Sequence, residues 1–266
     1  MKVLVIGAGN MGLTYATGIA ESKTVKQEDL MIMDAAPDKI ESLKKLDYFD
    51  VYDKIEDCIE KADIVLIAVK PYHAKDLFAS IKDRVRDDQI FVSLMAGVTI
   101  KTIQDLLGIS KVVRTMPNLP AQVGKGLTSF TGSDKVSKVE LESVKKLLDT
   151  TGISLAVKNE KFIDASTGIS GSGPAYVFYF MQGMIDAALN MGFSSEEAKL
   201  LVKQTFEGAT ELYSKFDLSP EEWMDRVASK GGTTRAALDS LESNNVGKFI
   251  KEAAFAAYNR AEELGK

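Results

Sequence analysis

Two short stretches of this chain place glycines directly ahead of a helical pattern, an arrangement that lets backbone amides capture an anion. In the first, Lys2-Val3-Leu4-Val5-Ile6 stops at Gly7-Ala8-Gly9-Asn10-Met11-Gly12, and a helix-compatible segment follows from Met11 to Glu21. The first glycine of such a GxGxxG run permits a tight turn, the second lets the backbone approach a pyrophosphate, and the third lets helix and strand pack closely. The unpaired N–H groups and positive dipole end of the helix then face the anion. Between a strand and a helix this spacing reads as dinucleotide binding; the other reading is a glycine-rich turn without a ligand. In the second stretch, Ser229-Lys230-Gly231-Gly232-Thr233 leads into a helical pattern from Thr234. It suits a small carboxylate, although a flexible turn with a threonine cap gives the same pattern.

The first loop needs a parallel sheet to hold it. Leu30 to Asp34 reads as a second strand, and Asp34 lies 22 positions past Gly12. A carboxylate at about that distance accepts a ribose 2′-hydroxyl and repels a 2′-phosphate, and Ala35-Ala36-Pro37-Asp38 offers no arginine to receive one. The expectation is therefore NAD(P)H with a lean to NADH; alternatively Asp34 only caps a helix starting near Pro37. Asp63 to Val69 is a continuous apolar run, as expected of a strand buried on both faces. Ligands gather beyond the carboxyl ends of such strands, which puts Ala68, Val69, Lys70 and Pro71 near the cofactor. Lys70 either acts there or is solvated, and His73 reads as a surface residue at the next helix start.

Gln89 to Leu94 repeats the strand pattern and closes on Met95-Ala96-Gly97, small residues suited to a flat ring. Lys111 to Thr115 follows, with Met116-Pro117-Asn118-Leu119-Pro120 as a rigid loop, either pocket wall or plain connector. Strands near Gly126–Phe130 and Ile153–Val157 flank a helix from Asp134 to Leu148. This alternation predicts a doubly wound α/β domain over residues 1–158.

From residue 159 to 266 the pattern is helical only, in pieces around Phe162–Thr167, Pro174–Met191, Ser195–Tyr213, Pro220–Ala228, Thr234–Ser243 and Val246–Glu263. Ser194 with Glu197 and Ser219 with Glu222 mark two of the starts. The helix from Pro174 is apolar nearly all round, so it must be covered on every side. That predicts a dimer, or else the central helix of a monomeric bundle.

Composition narrows the partners. The 266 residues are 45% hydrophobic and carry a net charge of −5 with no long run of one sign, so no nucleic-acid footprint is evident and a small-molecule substrate is expected. One cysteine, Cys58, excludes an intramolecular disulfide, and with one histidine no Cys/His zinc site, hence no metal, is expected. No run of about 18 apolar residues occurs, and the first strand begins at once, so a cytoplasmic protein without a membrane span is expected.

Two further elements, Ser170-Gly171-Ser172-Gly173-Pro174-Ala175-Tyr176 and Ser229-Lys230-Gly231-Gly232-Thr233-Thr234, are more specific than the glycine fingerprint. With Gly7 to Gly12, Val69-Lys70-Pro71 and Arg114-Thr115-Met116-Pro117-Asn118, in this order, the whole chain closely resembles pyrroline-5-carboxylate reductase. The resemblance implies a Rossmann-type domain followed by an all-α dimerisation domain, with dimers often assembled into rings of five. It implies hydride transfer from NAD(P)H to the C=N carbon of 1-pyrroline-5-carboxylate, giving L-proline. Ser229 and the amides of Gly232 and Thr233, with Gly231 in the same loop, would hold the substrate carboxylate, and Thr234 would bond the ring nitrogen. The chain departs from the family's pattern in carrying Lys230 where proline is usual and in lacking an asparagine near Lys54-Ile55, which leaves the adenosine ribose to Asp34. Arg226, one turn before the loop, touches phosphate or substrate, or forms a surface ion pair. A hydroxyacid dehydrogenase or another cyclic-imine reductase of the same two-domain plan, and a non-catalytic dinucleotide sensor, are the alternatives.

Overall fold

The computed structural model describes residues 1–265. Eight strands form one sheet: β1 (Val3–Ile6), β2 (Leu30–Met33), β3 (Asp50–Tyr52), β4 (Ile64–Ile67), β5 (Ile90–Ser93), β6 (Val112–Met116), β7 (Gly126–Gly132) and β8 (Gly152–Ala156). The helices are α1 (Asn10–Ser22), α2 (Pro37–Lys44), α3 (Ala74–Ile81), α4 (Ile100–Leu107), α5 (Lys138–Leu148), α6 (Glu160–Ser166), α7 (Gly173–Asn190), α8 (Ser195–Lys215), α9 (Pro220–Val227), α10 (Thr233–Ser243) and α11 (Val246–Leu264). None of the helices among the described residues is long and apolar enough to cross a membrane.

The strand order is β3-β2-β1-β4-β5-β6-β7-β8, parallel except where β6 meets β7. Because side chains alternate across a strand, each central strand feeds two cores. Val3 and Val5 of β1 join Ile64 and Leu66 of β4 on one face, while Leu4 and Ile6 join Val65 and Ile67 on the other. The strand order reverses at β1, and a crevice opens at such a point, outside the carboxyl ends of the strands.

By packing, the chain forms two compact units. The sheet unit holds Met1–Ser172 together with the chain from Ala256 onward, and the helical unit is Gly173–Phe255. The sequence pattern puts the boundary after residue 158; packing keeps α6 and the last turns of α11 with the sheet. The reason for α6 is Arg114 in β6, 2% exposed, whose Nη1 and Nη2 donate to Glu160 (3.2 Å) and Asp164 (2.5 Å). A charge buried inside a sheet needs such partners, and they are on α6. Glu160 also accepts the Ile100 amide at 2.8 Å, so the same helix caps the start of α4. One π-helical turn, Thr167–Gly171, follows α6, with Asn118 donating to the Ser170 carbonyl (3.1 Å) and Ser129 bonded to Ser166. A Cβ on Gly171 would lie 2.9 Å from the Met116 side chain, so the Met116–Asn118 loop packs directly on this turn. The loop thus supports the π-helical turn, and it enters a 3₁₀ segment at Leu119.

All six helices that the pattern anticipates after residue 158 are present, α6 with the sheet and the others from α7 onward building the helical unit, and both serine caps are present as capping boxes with Glu197 and Glu222. Burial in the helical unit is scant. Ala198 and Val202 are the buried apolar residues among those described in this unit, whereas Tyr179, Phe178 and Phe249 are more than half exposed. α7 buries no residue fully, and with α11 it walls a groove of about 890 Å³ containing Tyr179, Phe180, Met184, Phe249 and Ile250.

Candidate active site

The glycine loop has the shape its spacing calls for. Gly7 adopts φ +95°, and a Cβ there would lie 3.1 Å from the Ala68 backbone and the Val69 side chain. A Cβ on Gly12 would lie 1.8 Å from the Gly7 carbonyl oxygen, so α1 can begin this close to the strand only with glycine. Around Gly9, by contrast, nothing lies within 4 Å of a built Cβ. That open face is where backbone can be approached by a ligand, and no side chain caps the start of α1. A dinucleotide fits these residues: closed packing behind the loop, open space and uncapped amides in front.

A cleft of about 700 Å³ at the β1–β4 switch point is walled by Gly7, Gly9, Asp34, Ala68, Val69 and Lys70 among others. Of the remaining residues expected near the cofactor, Gly12 lies behind Gly7, and Ala8 donates its amide to Asp34 Oδ2 at 2.7 Å. Asn10 walls a separate cleft beside Thr14 and Thr150, Met11 is half-buried, and Pro71 opens the short turn after β4. Met95, Ala96 and Gly97 are not among the described residues walling the cleft. Met95 is buried, and the room at Gly97 admits the last turn of α11: a Cβ there would lie 2.8 Å from Leu264.

Asp34 is 8% exposed and is not the cap of α2, whose N-cap is Ala36. Oδ2 accepts from Ala8 N–H and from Lys39 Nζ at 2.9 Å, and Oδ1 accepts from Ala36 N–H at 3.0 Å. It therefore ties the glycine loop to the β2–α2 turn. Burial pushes its carboxyl up, but the Ala36 amide, Lys39 and the Ala8 amide outweigh that and hold it below the ordinary value. The Lys39 side chain is 47% exposed, and a pair this open is worth at most ~1 kcal/mol, so Lys39 can change partners at little cost.

Lys39 and Tyr72, which the sequence pattern did not single out, wall the cleft, and so does His73, exposed as the surface reading has it. Tyr72 is 74% exposed and meets the His73 ring at 4.3 Å between centroids. An aromatic residue following Lys-Pro at a strand end, and a lysine in the first turn of α2, were the signals available.

The second loop lies wholly in the helical unit. Gly231 has φ +75°, and Gly232 N–H donates to the Ser229 carbonyl at 3.0 Å. A Cβ on Gly232 would fall 2.6 Å from Ser229 Oγ, so glycine is what lets the serine hydroxyl fold over the start of α10. No side chain caps that start, leaving the amides of Thr233 and Thr234 to serve an anion. Thr234 is half-buried and Lys230 exposed. Arg226 does not form the surface ion pair among the described residues; its guanidinium lies 5.4 Å from the Trp223 ring centroid.

Comparison with known proteins follows the same division. Residues 160–264 match the family model described as pyrroline-5-carboxylate reductase dimerisation, and residues 2–97 match that described as NADP oxidoreductase coenzyme F420-dependent. A pyrroline-5-carboxylate reductase of Pseudomonas aeruginosa is 33% identical, over 100% of this chain and 97% of its own. The solved pyrroline-5-carboxylate reductase of Coxiella burnetii superposes with a TM-score of 0.92 at 31% identity, covering 100% of this chain and 98% of that one. The Plasmodium falciparum pyrroline carboxylate reductase, solved with NADP bound, gives 0.89 at 30% identity with the same coverage. Likeness of this degree along both chains, joined to a glycine cradle at one end and an uncapped Ser-x-Gly-Gly-Thr-Thr helix start at the other, means that the chain belongs to the pyrroline-5-carboxylate reductase family.

Proposed function

We propose that this chain reduces 1-pyrroline-5-carboxylate to L-proline, the last step of proline biosynthesis, with a nicotinamide dinucleotide as reductant. The observation that carries this reading is the uncapped start of α10 under Ser229, a built place for a small carboxylate in a chain whose other glycine loop suits a pyrophosphate. Ser229 and the amides of Gly232 and Thr233, with Gly231 in the same loop, hold the substrate carboxylate, the Gly232 N–H leaving the Ser229 carbonyl to do so, and the Thr234 hydroxyl bonds the ring nitrogen. When bound, the reduced nicotinamide supplies the hydride. A cyclic imine takes up a proton near neutral pH and so carries its own activation; the protein's task is alignment, which supplies ~7–11 kcal/mol of barrier lowering. The absence of a dedicated acid–base pair in the sequence then needs no further explanation.

Gly7 to Gly12 hold the pyrophosphate, and Ala68 to Pro71 line the adenosine end. Asp34 accepts the ribose 2′-hydroxyl and disfavours a 2′-phosphate, which gives a preference for NADH over NADPH. The apolar groove of α7 and α11 is covered by a second copy of the chain, and dimers assemble further into a decamer. The single cysteine accords with a cytoplasmic location.

The test is NADH oxidation on adding 1-pyrroline-5-carboxylate to the purified chain. Substrate-dependent turnover is expected, and Thr234→Ala is expected to lower kcat/KM by ~10- to 100-fold. No turnover with either nicotinamide cofactor would remove the reading. Asp34→Ala is expected to move the NADH/NADPH ratio of kcat/KM toward NADPH by ~10-fold; an unmoved ratio makes Asp34 structural only.

A further inference from the structure

The reading of Asp34 as an NADH selector leaves its neighbour unexplained. Ala35 to Asp38 include no arginine, yet Lys39 stands in the cleft wall with its ammonium 2.9 Å from the selecting carboxylate. We propose that Lys39 is a second specificity residue, the cation through which this cleft also admits a 2′-phosphorylated adenosine, so that Asp34 sets the preference and Lys39 limits it. The inference rests on the nucleotide reading of the cleft and adds to it a ligand for one particular group.

Three observations lead there. An ionised carboxylate has about four acceptor positions, and those of Asp34 receive the Ala8 and Ala36 amides and one Lys39 N–H. A 2′-hydroxyl can take the remaining position without displacing either amide, so a 2′-hydroxyl dinucleotide binds with the Asp34–Lys39 pair intact. A 2′-phosphate brings about two negative charges to the same place, and only a cation able to turn from Asp34 makes that tolerable. The ammonium of Lys39 has three donors, and one is used on Asp34; its side chain is 47% exposed, so it has both the spare valence and the freedom.

Secondly, Lys39 sits in the first turn of α2, where the helix dipole disfavours a cation. A lysine there gains from any anion brought close, and Asp34 supplies only one negative charge. Thirdly, no side chain caps α2, whose N-cap is Ala36. Phosphate at this corner therefore meets Lys39 together with a positive helix end. Asp38, exposed in the same turn, opposes it and keeps the corner from being a dedicated phosphate pocket.

The test is titration calorimetry of the full chain with NAD⁺ and NADP⁺, which differ only in the 2′-phosphate, for the unaltered protein and for Lys39→Met, Lys39→Arg and Asp34→Ala. The expected result is that Lys39→Met moves the ratio of the two dissociation constants against NADP⁺ by ~10-fold, with Lys39→Arg restoring it. NADP⁺ binding to the unaltered chain is also expected to weaken more steeply with salt than NAD⁺ binding, and this excess to vanish in Lys39→Met. A ratio unmoved by Lys39→Met, while Asp34→Ala does move it, overturns the role of Lys39 and leaves the nucleotide reading standing. Failure of the unaltered chain to bind either dinucleotide overturns both.

Discussion

The sheet unit and the helical unit solve burial in opposite ways. In the sheet unit β1, β4 and β5 are buried side chain by side chain, a lone buried arginine is held by two carboxylates, and the glycine cradle rests on that frame. In the helical unit the polar details are in order, with paired capping boxes and i,i+4 ion pairs, yet many of its large apolar side chains, Phe178, Tyr179 and Phe249 among them, face outward. Capping and surface pairs contribute about 1 kcal/mol or less each, whereas burying one large apolar side chain contributes ~1.5–3 kcal/mol. A unit with the first kind of term and little of the second depends on a partner surface. The lesson is that the sheet unit covers its own core, while the order of the helical unit is tied to association.

That contrast is open to attack at four points. The largest expected effect is from charges placed in the groove, Phe180→Asp with Phe249→Asp. Sedimentation should then report a monomer, the helical unit should lose cooperative unfolding, and turnover should fall to background while calorimetry still detects NAD⁺. An assembled, active variant would break the contrast. Next, Arg114→Leu leaves Glu160 and Asp164 as unpaired charges inside the sheet unit, and urea unfolding should show a loss of ~3–5 kcal/mol. A loss below ~1 kcal/mol would mean that α6 is held by other contacts. In the helical unit Ser194→Ala removes a capping box at the start of α8, for which ~1 kcal/mol is expected in the thermal unfolding of the assembled protein.

The smallest effect concerns pH. Burial pushes the Asp164 carboxyl up and Arg114 only partly counters it, with Glu160 and Glu262 adding repulsion. Its value in the folded chain therefore lies above the unfolded value of ~3.9, and the folded state binds this proton more tightly. Asp164 consequently makes stability fall as pH rises from ~3.9 through the raised value. Asp34, held low, acts in the opposite sense: its stabilisation is present above ~3.9 and lost as pH drops through its depressed value. In Asp164→Asn the falling limb should disappear from the pH dependence of urea midpoints, and an unchanged profile would contradict the assignment.

Much of this was legible in the sequence because the relevant signals are local. Short strand-like runs gave seven of the eight strands, and Ser-x-x-Glu spacing gave the starts of α8 and α9. β3 escaped because three residues at a sheet edge, Asp50–Tyr52, carry no period. The domain boundary at 158 differed from the packing boundary because it depends on Arg114, a charge inside an apolar strand whose partners lie 46 and 50 positions away. At Gly97 the close approach of Leu264 was not legible, because the two residues come together from distant parts of the chain. Asp34 stood out by its distance from Gly12, whereas Lys39 becomes visible only once the β2–α2 turn brings the two together.

The central claim is that the two anion-holding helix starts divide the labour, α1 taking the dinucleotide and α10 the small acid. It is tested most directly by a crystal structure of the chain with NAD⁺ and L-proline. The account predicts the proline carboxylate on the amides at the start of α10 beside Ser229, and the pyrophosphate at Gly9. Proline bound away from Ser229 and Thr234, with those amides facing only solvent, would contradict it.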